Sequence, residues 1–335
     1  MDLDVVMPFH RVDSFFFDAV NSVKKSEGVR VNLILVDDRA PGKNSMVKVQ
    51  DNFPFVNILR TKGAQGYGAA LRVAASALRT DAVALFNSDD IVHPQRFIKQ
   101  LKSLSKNDIS HCGIQRISKD GKFVPSLAGN FNSKIYDPNF LLLGAYGANA
   151  TWLMTRDWWM ENVFFDSDEC LDWRIALSTF SKTKISYLPE KLYFYRKHEN
   201  QVTARNESDL DTLQPLFIKW TEFAKLNSFG SYSFETFKFF AMPWLKIGKI
   251  EIEEIEEFAQ KILLSARTKD TEISDGFMSL IQRRYIFGIK NTTSFRNKFK
   301  LVSQGKEEIR NIASDMALNF LTRSSILNHV VNQVL

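Results

Sequence analysis

The chain has 335 residues, enough for one large domain or two, and its 44% hydrophobic and 24% charged residues are the balance of a globular protein. No apolar run approaches the roughly 20 residues needed to span a bilayer, and no basic stretch precedes an apolar core near the N-terminus, so neither a membrane span nor a secretory signal is expected. Cys112 and Cys170 make neither a metal-ligand spacing nor a disulfide framework, which points to a cytoplasmic protein with free thiols.

The 28 phenylalanines predict an aromatic-rich core or surface. The net charge of +6 can be assigned to one late segment, where Arg283, Arg284, Lys290, Arg296, Lys298, Lys300, Lys306 and Arg310 face only Glu307 and Glu308. Phe287, Phe295 and Phe299 are interleaved there. A segment of this kind suits an anionic membrane surface or nucleic acid, and a solvated helical face explains it as well.

Strand and helix signals alternate through the first half. Leu3 to Pro8 reads as a strand, and Asp13 can cap a helix through about Lys25. Val31 to Val36 is a second strand and Ser45 to Asp51 a weaker helix. Val56 to Leu59 is a third strand, Gly66 to Leu78 an Ala-rich helix, and Ala82 to Phe86 a wholly apolar strand. Pro94 sits at a helix start, with Phe97, Ile98, Leu101 and Leu104 on one face. This alternation predicts a parallel sheet with helices on both sides.

From Ile109 to Tyr146 the pattern loosens into short strands and loops, with Asp120-Gly121 as a hairpin turn. Asn149 to Thr155 is strand-like, Asp157-Trp158-Trp159 opens a helix, Leu171 to Phe180 is helical and Ile185 to Tyr195 extended. Beyond about Ser208 the pattern changes to amphipathic helices at Leu213 to Ala224, Phe234 to Phe240, Ile252 to Leu264 and Ile309 to Leu321. A domain boundary is therefore placed near Glu207, giving an α/β domain over 1–207 and a mainly α-helical region over 208–335.

Chemistry concentrates where strands end. Leu33-Ile34-Leu35-Val36 runs into Asp37-Asp38, and Ala82-Val83-Ala84-Leu85-Phe86 runs into Asn87-Ser88-Asp89-Asp90. The carboxyl ends of strands in an open α/β sheet form the ligand crevice, and two acidic clusters there suit a divalent cation and the phosphates it bridges. Lys62-Gly63-Ala64-Gln65-Gly66-Tyr67-Gly68 is a glycine segment at a helix start that can line a nucleotide pocket. It follows the third strand and not the first, so it is no nicotinamide fingerprint. Asp172 lies at a helix start, where it can equally be a cap. Arg196 and His198 lie just past the strand containing Tyr193-Phe194-Tyr195.

Taken in order, these blocks resemble the nucleotide-sugar-dependent glycosyltransferases of family 2, with the GT-A fold. The resemblance covers about residues 3 to 203. Each motif is weak by itself, and six in the right order are specific. It implies a Rossmann-like central mixed sheet flanked by helices, and an inverting transfer of a hexosyl or N-acetylhexosaminyl group. The expected donor is a nucleoside diphosphate sugar carrying UDP, and the acceptor a hydroxyl of a glycan or lipid-linked glycan.

The matching residues inherit expected roles. Pro8 ends the first strand and His10 and Arg11 follow it, Asp37 and Asp38 orient the nucleoside, and Gly66, Arg72, Asn87, Ser88 and Arg196 complete the nucleotide-sugar set. Asp89 and His198 would hold Mn²⁺ or Mg²⁺. Asp172 is the expected catalytic base, with Asp168 and Glu169 close in sequence. The sequence departs from the family at Asn87, where an aspartate is usual, and at Leu171, in place of the acidic residue before the base. A further expectation is peripheral contact of 283–310 with the inner face of the plasma membrane. No nucleic-acid partner is expected, since the acidic strand ends would repel phosphates without a metal, and an oligomer is compatible with the chain. The competing reading is a non-catalytic sugar-nucleotide or glycan-binding module with a degraded metal site.

Overall fold

The computed structural model describes residues 1–39, 45–62, 66–124, 138–144, 147–162, 170–199, 201, 210–243 and 245–267, with Leu280, Arg284 and Gly288. Several sequence expectations lie outside the described residues: the glycine-loop residues 63–65, residues 125–137 of the loosened stretch, Asp168 and Glu169, the helix at 309–321, and 283–310 apart from Arg284 and Gly288. The chain divides into two compact units, Met1–Pro138 with Ala145–Leu216 and Asn139–Gly144 with Phe217–Leu335.

The first unit is built on an eight-stranded mixed sheet. Its strands are β1 (Asp2–Phe9), β2 (Arg30–Asp37), β3 (Asn57–Arg60), β4 (Ala82–Leu85), β5 (Ile91–Val92), β6 (Ile109–Ile117), β7 (Leu153–Thr155) and β8 (Ile185–Arg196), in the order β3-β2-β1-β4-β7-β6-β8-β5. The first four are parallel, β7 runs antiparallel to both β4 and β6, β6 pairs in parallel with β8, and β5 is antiparallel to β8. β1 is buried from its second residue and β4 throughout, as strands covered on both faces must be.

The crossovers run through α1 (Ser14–Lys24), α2 (Ser45–Asn52), α3 (Tyr67–Ala75) and α4 (Arg96–Leu104). Asp13 caps α1, its carboxylate accepting from the Phe16 N–H at 3.1 Å, which satisfies one of the helix's orphan donors. Phe16, Ala19, Val20 and Val23 of that helix pack into the core with Leu3, Val5 and Met7. α5 (Arg156–Asn162) and α6 (Leu171–Thr179) follow β7.

Two parts differ from the sequence pattern. Residues 109–117 form a continuous nine-residue strand where short strands and loops are expected. Its polar residues hide the period: Ser110 and His111 are buried, and the Ser110 carbonyl accepts from Gln100 Nε2 at 2.6 Å. Asn149–Thr151, at the start of the expected strand, is a short 3₁₀ turn. The Asp120-Gly121 hairpin forms as expected, with Gly121 at φ +78° and its N–H on the Ser118 carbonyl at 3.0 Å. β6 and β8 slip register around Gly113. A Cβ on Gly113 would lie 2.7 Å from the Pro189 carbonyl oxygen, so the approach of the two backbones requires glycine.

The second unit holds α7 (Leu210–Leu226) from Phe217 onward, α8 (Phe234–Ala241) and α9 (Ile252–Arg267). Its core is aromatic. Trp220 packs 5.4 Å from Phe237 and 5.5 Å from Phe258, and Phe258 packs 4.7 Å from Phe240 and 5.0 Å from Tyr232. The Trp220 indole N–H reaches the Leu142 carbonyl at 3.0 Å, as a buried indole requires. Much of the phenylalanine excess is placed here. Among the described residues no helix is long and apolar enough to cross a membrane.

Candidate active site

Strand direction gathers the site on one edge of the first unit's sheet. β1, β2 and β4 end there, and so does β8, which runs in the same sense through β7 and β6. β7 runs the other way, so the segment before it reaches the same edge: the Trp152 carbonyl accepts from the Leu85 N–H at 3.1 Å. His10 and Arg11, Asp37 and Asp38, Asn87 to Asp90, Asn149, and Arg196 to His198 therefore share one rim.

Pro8 is buried within β1 opposite Val36, His10 is exposed and Arg11 half-buried beyond the strand. Asp37 is fully buried, with Arg60 Nε 3.4 Å from its carboxylate. The Asp38 N–H is bound by the Phe9 carbonyl at 2.7 Å. Its carboxylate accepts from the Thr61 hydroxyl at 3.1 Å and from the Gly66 N–H at 2.9 Å. Asp38 thus joins the end of β2 to the first turn of α3. Gly66 stands there at φ +110°, a conformation that favours glycine. Arg72 is exposed in the last turn of α3.

The Asn87–Asp90 turn separates two adjacent aspartates. Asp90 is fully buried and accepts from the Tyr193 hydroxyl, the Arg196 N–H at 2.7 Å and Asn87 Nδ2 at 3.2 Å. Burial, with the charge of Asp89 beside it, pushes its carboxyl well above the usual range. Asp89 faces the other way, its side chain 32% exposed, with Oδ2 3.0 Å from His198 Nε2. Asn87 therefore supports the buried aspartate, and Ser88 is half-buried beside it.

Arg196 is 2% exposed. Its guanidinium donates to the Asp89 carbonyl at 3.0 Å, the Lys119 carbonyl at 2.7 Å and the Asp18 carboxylate at 3.1 Å, and lies 4.6 Å from the centre of the Phe15 ring. This is the geometry of a brace between three chain segments. His198 packs on the same Phe15 ring at 5.1 Å.

Asp172 sits in the first turn of α6, after Cys170 in the left-handed region at φ +48°. Its carboxylate accepts from the Trp173 N–H at 2.8 Å and the Asn149 N–H at 3.4 Å. Burial raises its pKa and the backbone donors oppose the rise, so the group is a stronger base than a solvated aspartate.

Among the described residues no three His, Cys, Asp or Glu side chains cluster as a complete metal set. Asp89 and His198 do fit a shared cation. Two ligand atoms about 2.1 Å from an octahedral ion lie about 3.0 Å apart, and that is their separation. A cation bound by one or two side chains leaves its other positions for water and substrate phosphates.

Asn149, Asp18, Phe15, Tyr193 and Tyr67 also shape the rim and were not singled out from the sequence. Tyr67 carried a readable signal, a large polar aromatic between two glycines. The others depend on tertiary pairing.

Comparison with known proteins places these features. The uncharacterized glycosyltransferase EpsJ of Bacillus subtilis (strain 168) is 23% identical over 215 residues. The match covers 60% of this chain and 62% of that protein, so the chain aligns with under two thirds of its curated relative. Among solved structures, S. aureus TarS 1–349 in complex with UDP-GlcNAc superposes with a TM-score of 0.53 at 13% identity, over 86% of this chain and 90% of that one. TarS 1–349 in complex with UDP superposes with a TM-score of 0.50 at 15% identity, over 91% and 92%. Residues 4–161 match the family model of glycosyl transferase family 2, and the architecture is thus the GT-A type.

Proposed function

We propose that the chain is an inverting glycosyltransferase that moves a hexosyl or N-acetylhexosaminyl group from a UDP-sugar to a hydroxyl of a glycan or lipid-linked glycan. The observation that carries this reading is the pairing of roles on one rim: an outward Asp89–His198 pair 3.0 Å apart and a half-buried, strengthened carboxylate at Asp172. The likeness to TarS, whose structures hold UDP or UDP-GlcNAc, supports a uridine donor.

Asp89 and His198 would hold Mn²⁺ or Mg²⁺, which when bound supplies positive charge against the diphosphate of the leaving group. Asp38 would face the nucleoside end of the rim, with the buried Asp37 supporting the end of β2 behind it. Asp172 accepts the proton of the acceptor hydroxyl as that oxygen forms its bond to the anomeric carbon. The bond from that carbon to the diphosphate breaks on the opposite side, and the electron pair leaves with UDP. Arg196 keeps the Asp89 backbone in place while this happens.

A thermal-shift panel of UDP, GDP and CDP, each with and without Mn²⁺, tests the reading. A ligand at about a hundred times its dissociation constant adds about 2.7 kcal/mol to the native state. The expected result is a rise with UDP that needs Mn²⁺. A flat panel would remove the donor site, and with it the enzyme.

A further inference from the structure

Tyr67, the first residue of α3, has no role in the reading above. Its hydroxyl oxygen is buried and has no hydrogen-bond partner among the described residues. Leaving such a group unpaired costs ~1–3 kcal/mol, whereas the Asp38, Asp172 and Asp90 carboxylates on the same rim each accept from a donor.

Two neighbours locate what the hydroxyl serves. The residue before it is tied to Asp38 through the Gly66 N–H at 2.9 Å, on the nucleoside side. On the other side the charge of Asp172 reaches the hydroxyl. After burial, that charge is the second cause that holds the phenol proton on well beyond the usual tyrosine range. The hydroxyl is therefore a permanent donor. An inverting displacement aligns the base, the attacking oxygen, the anomeric carbon and the departing diphosphate. The group between the nucleoside side and the base is then the sugar in transit.

We infer that the Tyr67 hydroxyl donates a hydrogen bond to an oxygen of the transferred sugar and helps set which sugar the donor site accepts. The inference rests on the glycosyltransferase reading and adds to it a residue that recognises the sugar apart from the nucleotide. A site built to bond a particular substrate oxygen discriminates strongly against donors that lack it.

Tyr67→Phe removes one oxygen and keeps the ring. Calorimetric titration of wild type and variant with UDP, UDP-GlcNAc, UDP-glucose and UDP-galactose, all with Mn²⁺, separates the contributions. UDP is expected to bind both proteins within about twofold, while the UDP-sugar that wild type prefers binds the variant about tenfold more weakly, the loss of one hydrogen bond. The melting temperature of the unliganded variant should be unchanged or higher, because an unpaired buried hydroxyl has been removed.

Equal affinity of both proteins for every nucleotide would overturn the role of Tyr67 and leave the glycosyltransferase reading intact. So would an equal loss for UDP and UDP-sugar, a lower melting temperature, or a wild type that binds UDP with no UDP-sugar preferred. A wild type that binds none of the four would overturn both.

Discussion

His111 gives the first unit a stability that depends on pH in a direction opposite to that of buried acids. It lies in β6, 4% exposed, its ring 4.7 Å from that of Tyr187. Burial lowers its pKa from 6.5 to about 3. The folded protein holds a neutral ring, and the unfolded chain takes up a proton as pH falls through 6.5. Its favourable contribution is therefore complete above 6.5 and is lost progressively as pH falls toward about 3. The whole gap corresponds to about 5 kcal/mol, and the part lost between pH 7.5 and 5.0 to about 2 kcal/mol.

The assay is urea unfolding by circular dichroism at those two pH values, for wild type and for His111→Gln. With a slope of about 2–3 kcal/mol per molar, wild type should lose about 0.7–1 M more in midpoint than the variant. Comparing the two differences cancels the packing cost of the substitution and the titration of all other groups. Equal losses in the two proteins would refute the reasoning, and would mean that a charged imidazole is tolerated in that core.

Other substitutions test the site and its frame. Asp172→Asn should lower transfer by at least about a hundredfold while the UDP-dependent thermal shift stays near wild type; normal turnover would remove Asp172 from the mechanism. Arg196→Lys keeps the charge but can satisfy at most part of the three-way contact, so a loss of ~3 kcal/mol and a drop of roughly 6–12 °C in Tm are expected by scanning calorimetry. A change under about 2 °C would show the brace to be dispensable. Gly113→Ala places a methyl 2.7 Å from the Pro189 carbonyl oxygen and 2.9 Å from that of Glu190. Both are backbone atoms, so ~1–3 kcal/mol should be lost, and an unchanged urea midpoint would count against the close approach.

What the sequence made legible follows from what is local. Apolar runs ending in acidic or polar residues, as at Val36-Asp37 and Phe86-Asn87, mark strand ends without any knowledge of neighbours, and Asp13 marks a helix start. The split between Asp89 and Asp90 is not local. The two residues are chemically identical neighbours, and the distant donors Tyr193 and the Arg196 N–H, with Asn87, decide which one turns inward. Arg196 likewise reads as a cation past a strand end, and its burial is set by Phe15 and Asp18 from the first helix. β6 escaped notice because its polar residues Ser110 and His111 are buried along with the apolar ones, which erases the alternation that marks a half-buried strand.

The brace at Arg196 also bears on how the protein comes into being. Its contacts with Asp89, Lys119 and Asp18 span 107, 77 and 178 positions of sequence, and the Arg196 N–H holds Asp90 from 106 positions away. A growing chain that has already made β1 to β4 owns the acidic turn but not the strand that fixes it. Competence at this rim therefore arrives late in synthesis, with β8. On the proposed function, a fragment ending before Arg196 should carry the acidic residues without the ability to retain a donor.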